Sequence, residues 1–264
     1  VTDIMIDPRN PRIIYAATWD RHRTVAALMG GGPGTAIYRS DDGGDNWTKL
    51  TNGLPKSNMG KIGITISPQN PDVVYAAIEL DRTKGAVYRS EDRGASWKKM
   101  SDTVSGGTGP HYYQELYASP HKFDRLYLMN VRVLTSEDGG KTFVQLKEKD
   151  KHSDNHAIVF KKDDPNYIML GTDAGIYESF DLAETWRYMK NLPLTQFYKV
   201  AVNNAEPFYH IFGGTQDNGS AGGPSATDER QGIANKHWYK TLFADGHQSA
   251  TDPVYNDIIH AETQ

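Results

Sequence analysis

Cysteine is absent from the 264 residues, which excludes a disulfide scaffold and thiolate metal sites and leaves the compartment open, since cytosol and bacterial periplasm both accommodate cysteine-free chains. Also missing is any apolar run near the roughly 18 residues that mark a membrane-spanning helix. There is no basic stripe either: 29 Lys and Arg stand against 33 Asp and Glu, for a formal charge of −4 with both signs mixed along the chain. Nucleic acid is therefore not an expected partner, because no cationic face is available to displace its counterions. No segment sustains a 3.6-residue apolar period, so almost no helix is expected. Phosphate loops, nucleophile elbows and dinucleotide fingerprints are missing, and no cofactor is indicated. The chain opens at Val1 within a strand-like run and stops at Gln264 just after another, so it reads as a segment of a larger fold.

What is present is a repeat. Tyr38-Arg-Ser-Asp-Asp-Gly-Gly-Asp-Asn-Trp47 recurs as Tyr88 to Trp97, Leu134 to Phe143 and Tyr177 to Trp186. All four follow S-x-D-x-G-x-x-[WF]: Ser40, Asp42, Gly44 and Trp47; Ser90, Asp92, Gly94 and Trp97; Ser136, Asp138, Gly140 and Phe143; Ser179, Asp181 and Trp186, with Ala183 in place of the last glycine. The serines are 50, 46 and 43 residues apart, the length of one four-stranded propeller blade. Ser and Asp side chains bond nearby amides, Gly supplies positive φ, and the aromatic ring is expected to bury beneath the hairpin, so each box reads as a turn staple rather than as chemistry. The missing glycine of the fourth box implies a departure from the shared turn geometry there.

Two strand signals and a Pro turn precede each box, as in Ile62 to Ser67, Pro68 to Pro71 and Val73 to Ile78. The expected fold is all-β: a partial propeller of about five to five and a half blades in one domain over 1–264. The blades run approximately over 1–50, 60–100, 111–147, 154–190 and 196–242, with 245–264 incomplete. Irregular stretches are expected at 28–35, 103–110 and 214–231, which are rich in Gly, Ser, Thr or Pro. Long connections of this kind gather on one propeller face, where ligands bind.

Further segments are more specific than the boxes: Gly31-Gly-Pro-Gly34, His152-Ser-Asp-Asn-His156, Gly171-Thr-Asp-Ala-Gly175, Gln196-Phe-Tyr198, Gly213 to Ser220 and Ala244-Asp-Gly246. With them the whole chain resembles the sortilin-type propeller family, especially its bacterial BNR/Asp-box members that carry a glycosyl hydrolase label. It departs from the family's Asn-Asp-Gly-Gly turn at Thr172-Asp-Ala-Gly175. The resemblance implies an extracytoplasmic propeller with more blades than this chain holds. Its relatives span peptide-capturing receptors, sialidases and xyloglucan-cleaving enzymes.

Candidate site residues lie outside the boxes. His152, Asp154 and His156 alternate, which in an extended segment aims all three at one face; they would suit a divalent ion or polar ligand contacts, against the plainer role of bonding neighbouring blades. Asp173, Asp217 and Asp245 occupy Gly-flanked turns that look equivalent in three successive blades. As a glycoside hydrolase pair, two of them would need to sit about 5–9.5 Å apart; otherwise each caps its own turn. Gln216, Asn218 and His247 would supply polar ligand contacts. Tyr112 and Tyr113, after the Gly-rich stretch ending at Pro110, are the favoured stacking aromatics among a set that includes Trp19, Phe197, Tyr198 and Trp238. Arg21, His22 and Arg23 form a short basic knot suited to a carboxylate or sulfate, or simply a solvated loop. The expected role is a binding scaffold for a peptide, protein or glycan, with a glycoside hydrolase using Asp217, Asp245 and Asp173 as the alternative and an assembly platform as a third possibility.

Overall fold

The computed structural model describes residues 1–81, 83–106, 112–192 and 194–263. Helix among them is limited to one 3-10 turn, Asn235–His237. The chain divides into two compact units, Val1–Tyr188 and Met189–Gln264.

The first unit holds four antiparallel four-stranded sheets, each a meander in chain order. Sheet 1 consists of Asp3–Ile6, Ile14–Ala17, Ile37–Ser40 and Thr48–Leu50; sheet 2 of Ile62–Ile66, Val74–Asp81, Lys84–Ser90 and Lys98–Ser101. Sheet 3 consists of Leu116–Ala118, Leu126–Leu128, Leu134–Ser136 and Val144–Gln145; sheet 4 of Asn155–Lys161, Asp164–Thr172, Gly175–Ser179 and Arg187–Tyr188. The second unit holds sheet 5, made of Lys199–Val202, His210–Thr215, Gly219–Pro224 and Tyr239–Leu242, and a ribbon of Gly246–Thr251 and Ile259–Thr263.

Alternation along the second strands places the core between sheets. Val74, Ala76 and Ile78 join Tyr15, Ile37, Ile62 and Ile64 in one buried cluster, while the interleaved Tyr75 and Ala77 join Leu116, Leu126 and Leu128 in the next. Sheet 3 repeats the device: Leu126 and Leu128 face sheet 2, and Tyr127 and Met129 pack with Ile158, Ile168 and Leu170 of sheet 4. Successive side chains of a strand point to opposite faces, so a continuous apolar run such as Val73 to Ile78 fits a strand buried on both. Polar links cross the same interfaces. Tyr15 Oη donates to the Arg93 carbonyl at 2.9 Å, Tyr75 Oη donates to Asp124, and the Ile64 amide donates to Asp3 at 2.8 Å.

The boxes staple the turn between the third and fourth strands. Ser40 Oγ donates to Asp42 Oδ1 at 2.7 Å and accepts from the Gly44 amide at 2.9 Å, and Asp42 Oδ1 accepts from the Asn46 amide at 2.9 Å. The same three bonds recur from Ser90, Ser136 and Ser179. The fourth box keeps this geometry despite its missing glycine: Ala183 adopts φ 70° and still donates to Ser179 Oγ at 2.8 Å. Three side-chain bonds outweigh the roughly 1–2 kcal/mol strain of a left-handed alanine.

Two other expectations are corrected. Trp97 is 6 % exposed, but Trp47 remains 40 % exposed. Trp97 is held against the preceding connection, its amide bonding the Asn52 carbonyl at 3.0 Å and its own carbonyl lying where a Cβ on Gly53 would be; no described sheet precedes Trp47 in this way. The stretches 28–35 and 214–231 are only partly irregular, since Leu28–Met29 pairs with His22–Arg23 and Gly219–Pro224 is a central strand. The glycines of the latter admit close neighbours: a Cβ on Gly222 would lie 2.6 Å from the Phe212 ring, and one on Gly223 2.6 Å from the Trp238 ring. The third expected irregular stretch, 103–110, falls partly outside the described residues, as do Gly107 to His111 just before Tyr112.

Trp97→Ala should cost about 3–5 kcal/mol, and Trp47→Ala well under half of that, by chemical denaturation. Ser136→Ala orphans the buried Gly140 amide and should cost about 1–3 kcal/mol. The boxes also set an acid limit. The Asn46 amide and side chain, with Ser40, hold Asp42 at about 2; the Thr185 hydroxyl and amide, with Ser179, hold Asp181 at about 2. Asp138 also lies at about 2, burial opposing the Thr142 amide and hydroxyl and the Ser136 hydroxyl. Carboxylates depressed in the folded state contribute stability that is complete above their unfolded value near 4 and lost as pH falls from there towards 2. Denaturation midpoints measured against pH should drop in that window, and replacing the three aspartates by asparagine should flatten the drop.

Candidate functional site

The most ordered set of polar candidates spans sheets 3 and 4 and rests on a buried ion pair. Lys151 and Glu148, with side chains 0 % and 1 % exposed, meet at 2.7 Å. Burial pulls the Lys151 ammonium below the ordinary lysine value, and the Glu148 contact opposes that. Lys151 also donates to Asn155 Oδ1 and, at 2.7 Å, to the His152 carbonyl. Asn155 in turn donates to Glu148 Oε1 at 2.9 Å and to the Val131 carbonyl at 3.0 Å, while Glu148 Oε2 accepts from the Val133 amide at 3.1 Å. With its polar atoms matched in this way, the pair fixes the segment 151–155 against sheet 3.

This anchor presents Asp154 and His156 to Tyr113. The Tyr113 hydroxyl donates to Asp154 Oδ1 at 2.6 Å, Ser153 Oγ donates to Oδ2, and the Tyr113 ring stacks on the His156 imidazole with centroids 5.4 Å apart and planes 21° apart. His156 Nε2 lies 2.6 Å from Asp173 Oδ1, and the Asp173 amide donates to the Asp154 carbonyl at 3.2 Å. Tyr113 is 3 % exposed, but Tyr112, edge-on to it at 6.4 Å, is 48 % exposed. Tyr112, Tyr113, Asp154, His156 and Asp173 therefore form one array with an imidazole and an aromatic edge open to solvent.

The second unit has its own set. The Asp217 amide donates to Asp245 Oδ1 at 2.7 Å, and the Gly219 amide to the Ala244 carbonyl at 2.7 Å, so these two turns interlock. Tyr198 Oη donates to Gln216 Oε1 at 2.5 Å, Asn218 donates to the Gln216 carbonyl at 3.0 Å, and the Tyr198 ring meets His247 edge-on at 5.5 Å. His247 Nδ1 lies 3.3 Å from Glu262.

The BNR-Asp box repeat family matches residues 87–100, the strand and turn of the second box. A GH74 xyloglucanase from Xanthomonas campestris is similar at a TM-score of 0.55 and 18 % identity, over 99 % of this chain and 41 % of the other. The fold is that of a β-propeller segment whose hairpins carry Asp boxes. A GH74 enzyme from Niastella koreensis also resembles this Asp-box propeller, at TM-score 0.54 and 16 % identity over 92 % of this chain and 38 % of its own. The Asp-box propeller thus spans about two fifths of the length of these enzymes, and at such identities the likeness is one of fold. YCF48 bound to D1 peptide aligns at TM-score 0.47 and 11 % identity, over 94 % of this chain and 70 % of that one. Sequence comparison with curated proteins gives no match.

Two expectations about this Asp-box propeller fail on geometry. His152, Asp154 and His156 do not share a face: the strand begins at Asn155, Asp154 is left-handed at φ 62°, and His152 Nδ1 turns to the Ser153 carbonyl at 2.9 Å. Among the described residues no group of three or more His, Cys, Asp or Glu is placed to hold a metal ion. Asp173 and Asp217 both sit in second-to-third-strand turns, but Asp245 precedes the first strand of its ribbon, the place of Asp154 in sheet 4. Glu148, Lys151 and Asn155, which position the array, were not among the candidates, because a run of charged residues gives no sign of burial.

Lys151→Met leaves Glu148 buried without its counterion and should destabilise the first unit by about 3–5 kcal/mol. The double variant with Glu148→Gln should recover part of that loss in a denaturation cycle.

Proposed function

We propose that this propeller is an extracytoplasmic binding scaffold of the sortilin-like kind, taking a peptide or glycan on the face that carries the Tyr112–Asp173 array. The observation that carries it is the combination of an exposed aromatic, Tyr112, with an imidazole and two carboxylates whose positions are fixed in advance. Aromatic edges supply stacking area at low entropic cost, and pre-positioned polar groups orient a ligand without paying for their own ordering. Carboxylates beside an aromatic suit hydroxyl or amide donors equally, so both ligand classes remain within this function.

Glycoside hydrolysis is the second reading, favoured by the interlocking of the Asp217 and Asp245 turns. It is the weaker one, because one Asp245 oxygen is spent on the Asp217 backbone amide rather than aimed at a substrate. General acid–base work needs two carboxyls flanking a single glycosidic bond.

Glycan and peptide arrays probed with the purified chain, followed by calorimetry on the best ligand, test the proposal. Tyr112→Ala and His156→Ala should each weaken binding about tenfold, on the order of 1.4 kcal/mol, while Asp217→Asn leaves it unchanged. Release of reducing sugar from a polysaccharide, abolished by Asp217→Asn or Asp245→Asn and unaffected by Tyr112→Ala, would instead establish the hydrolase.

A further inference from the structure

The connection between the second and third strands is a short turn in sheets 2 to 5, running from Leu128 to Leu134 at its longest; in sheet 1 it extends from Ala17 to Ile37 and carries its own ribbon, His22–Arg23 paired with Leu28–Met29. The stem of this ribbon is built to hold a fixed position. The Trp19 indole donates to the Gly30 carbonyl at 2.8 Å, the Asp20 amide to Thr35 Oγ1 at 2.9 Å, and the Gly32 amide to the Met59 carbonyl at 3.2 Å. Only glycine fits at position 31, since a Cβ on Gly31 would lie 2.2 Å from the Met59 carbonyl oxygen. Its tip closes through Thr24, which exchanges bonds with Ala27 at 2.8 and 3.1 Å.

The tip contrasts with the stem. Val25 is fully exposed, Met29 about half and Leu28 40 % exposed, and Arg21, His22 and Arg23 beside them are exposed too. The register pairs His22 with Met29 and Arg23 with Leu28. Directly paired residues share a face and neighbouring pairs alternate, so each face of the ribbon carries one cationic or ionisable group and one apolar side chain. Such a ribbon has no flat apolar side to lay in a protein groove. Its apolar character is gathered at the end, at Val25, Ala26 and Ala27, with the basic groups behind, and the rest of the chain is net acidic.

We propose that this ribbon docks end-on to an anionic lipid surface, Val25 and Leu28 entering the interface while Arg21 and Arg23 meet headgroup phosphates. A bilayer interface accepts apolar side chains on both faces of an inserted ribbon, and long cationic side chains reach back to the headgroups. At the base the Arg21 guanidinium lies 5.2 Å from the centroid of the partly buried Trp19 ring. The anchorage is peripheral and weak, since one short tip buries little.

Co-sedimentation of the chain with phosphatidylglycerol-containing vesicles and with pure phosphatidylcholine vesicles tests this, at two salt concentrations. Binding to the anionic vesicles should exceed binding to the neutral ones and fall with salt. Arg23→Gln should lower partitioning about fivefold, the equivalent of one basic residue at the surface, and Val25→Asp should abolish it, with both variants melting at the wild-type temperature. No binding to anionic vesicles, or equal binding by Val25→Asp, overturns the proposal. A concentration-dependent dimer lost in Val25→Asp, without vesicle binding, overturns it in favour of contact between two copies.

Discussion

A sheet that is apolar on both faces is stable only between two neighbours, and this constraint organises the first unit. The alternation of Val74, Ala76 and Ile78 with Tyr75 and Ala77 assigns one strand to two different cores. Each side chain's burial therefore depends on the presence of the adjacent sheet. The Asp boxes answer a separate need: they close the outer hairpin with side-chain bonds, so that the last strand, short and mostly exposed, stays attached without a core of its own. Local staples and non-local packing divide the work by position in the sheet.

The same division explains why the candidate site lies where it does. The segments that connect one sheet to the next have no ladder of their own, so their order must come from elsewhere. In the segment 147–155 it comes from a buried Lys–Glu pair with an asparagine between them. A buried pair of this kind contributes little net stability, but it permits few alternative arrangements. That specificity passes to Asp154 and His156, and through them to Tyr113 and Asp173. An array held this way leaves Tyr112 and His156 open to solvent while its positioning groups stay dry.

Much of this was legible in the sequence wherever interactions are local or periodic. The boxes bond at separations of two and four residues, so the spacing of Ser40, Asp42 and Gly44 already contains their geometry. The run Val73 to Ile78 was legible as a strand, but its burial on both faces appears only with the neighbouring sheets in place. The Gly-rich strand Gly219–Pro224 was hidden, because its glycines make room for Phe212 and Trp238 and look like a loop when those rings are out of view. Tyr113 and Asp154 were both candidates, yet they are 41 residues apart and nothing local pairs them. The charged run Lys147 to Lys151 resembles solvated surface, although Glu148 and Lys151 are buried. The left-handed turn at Asp154 likewise cancelled an alternation that would have held in a strand.

The tyrosine hydroxyls that cross from sheet to sheet have a mechanical meaning. Interdigitated apolar faces resist separation and displacement together, and a hydrogen bond adds a directional constraint because it depends on angle as well as distance. A hydroxyl carried on a rigid ring and bonded to a fixed acceptor, as Tyr15 is to the Arg93 carbonyl and Tyr75 to Asp124, behaves as a dowel across the joint. Sheets 1, 2 and 3 are thereby locked in stagger as well as in contact. Groups carried on successive sheets are thereby held at fixed spacings from one another, as marks on a ruler rather than as independent parts.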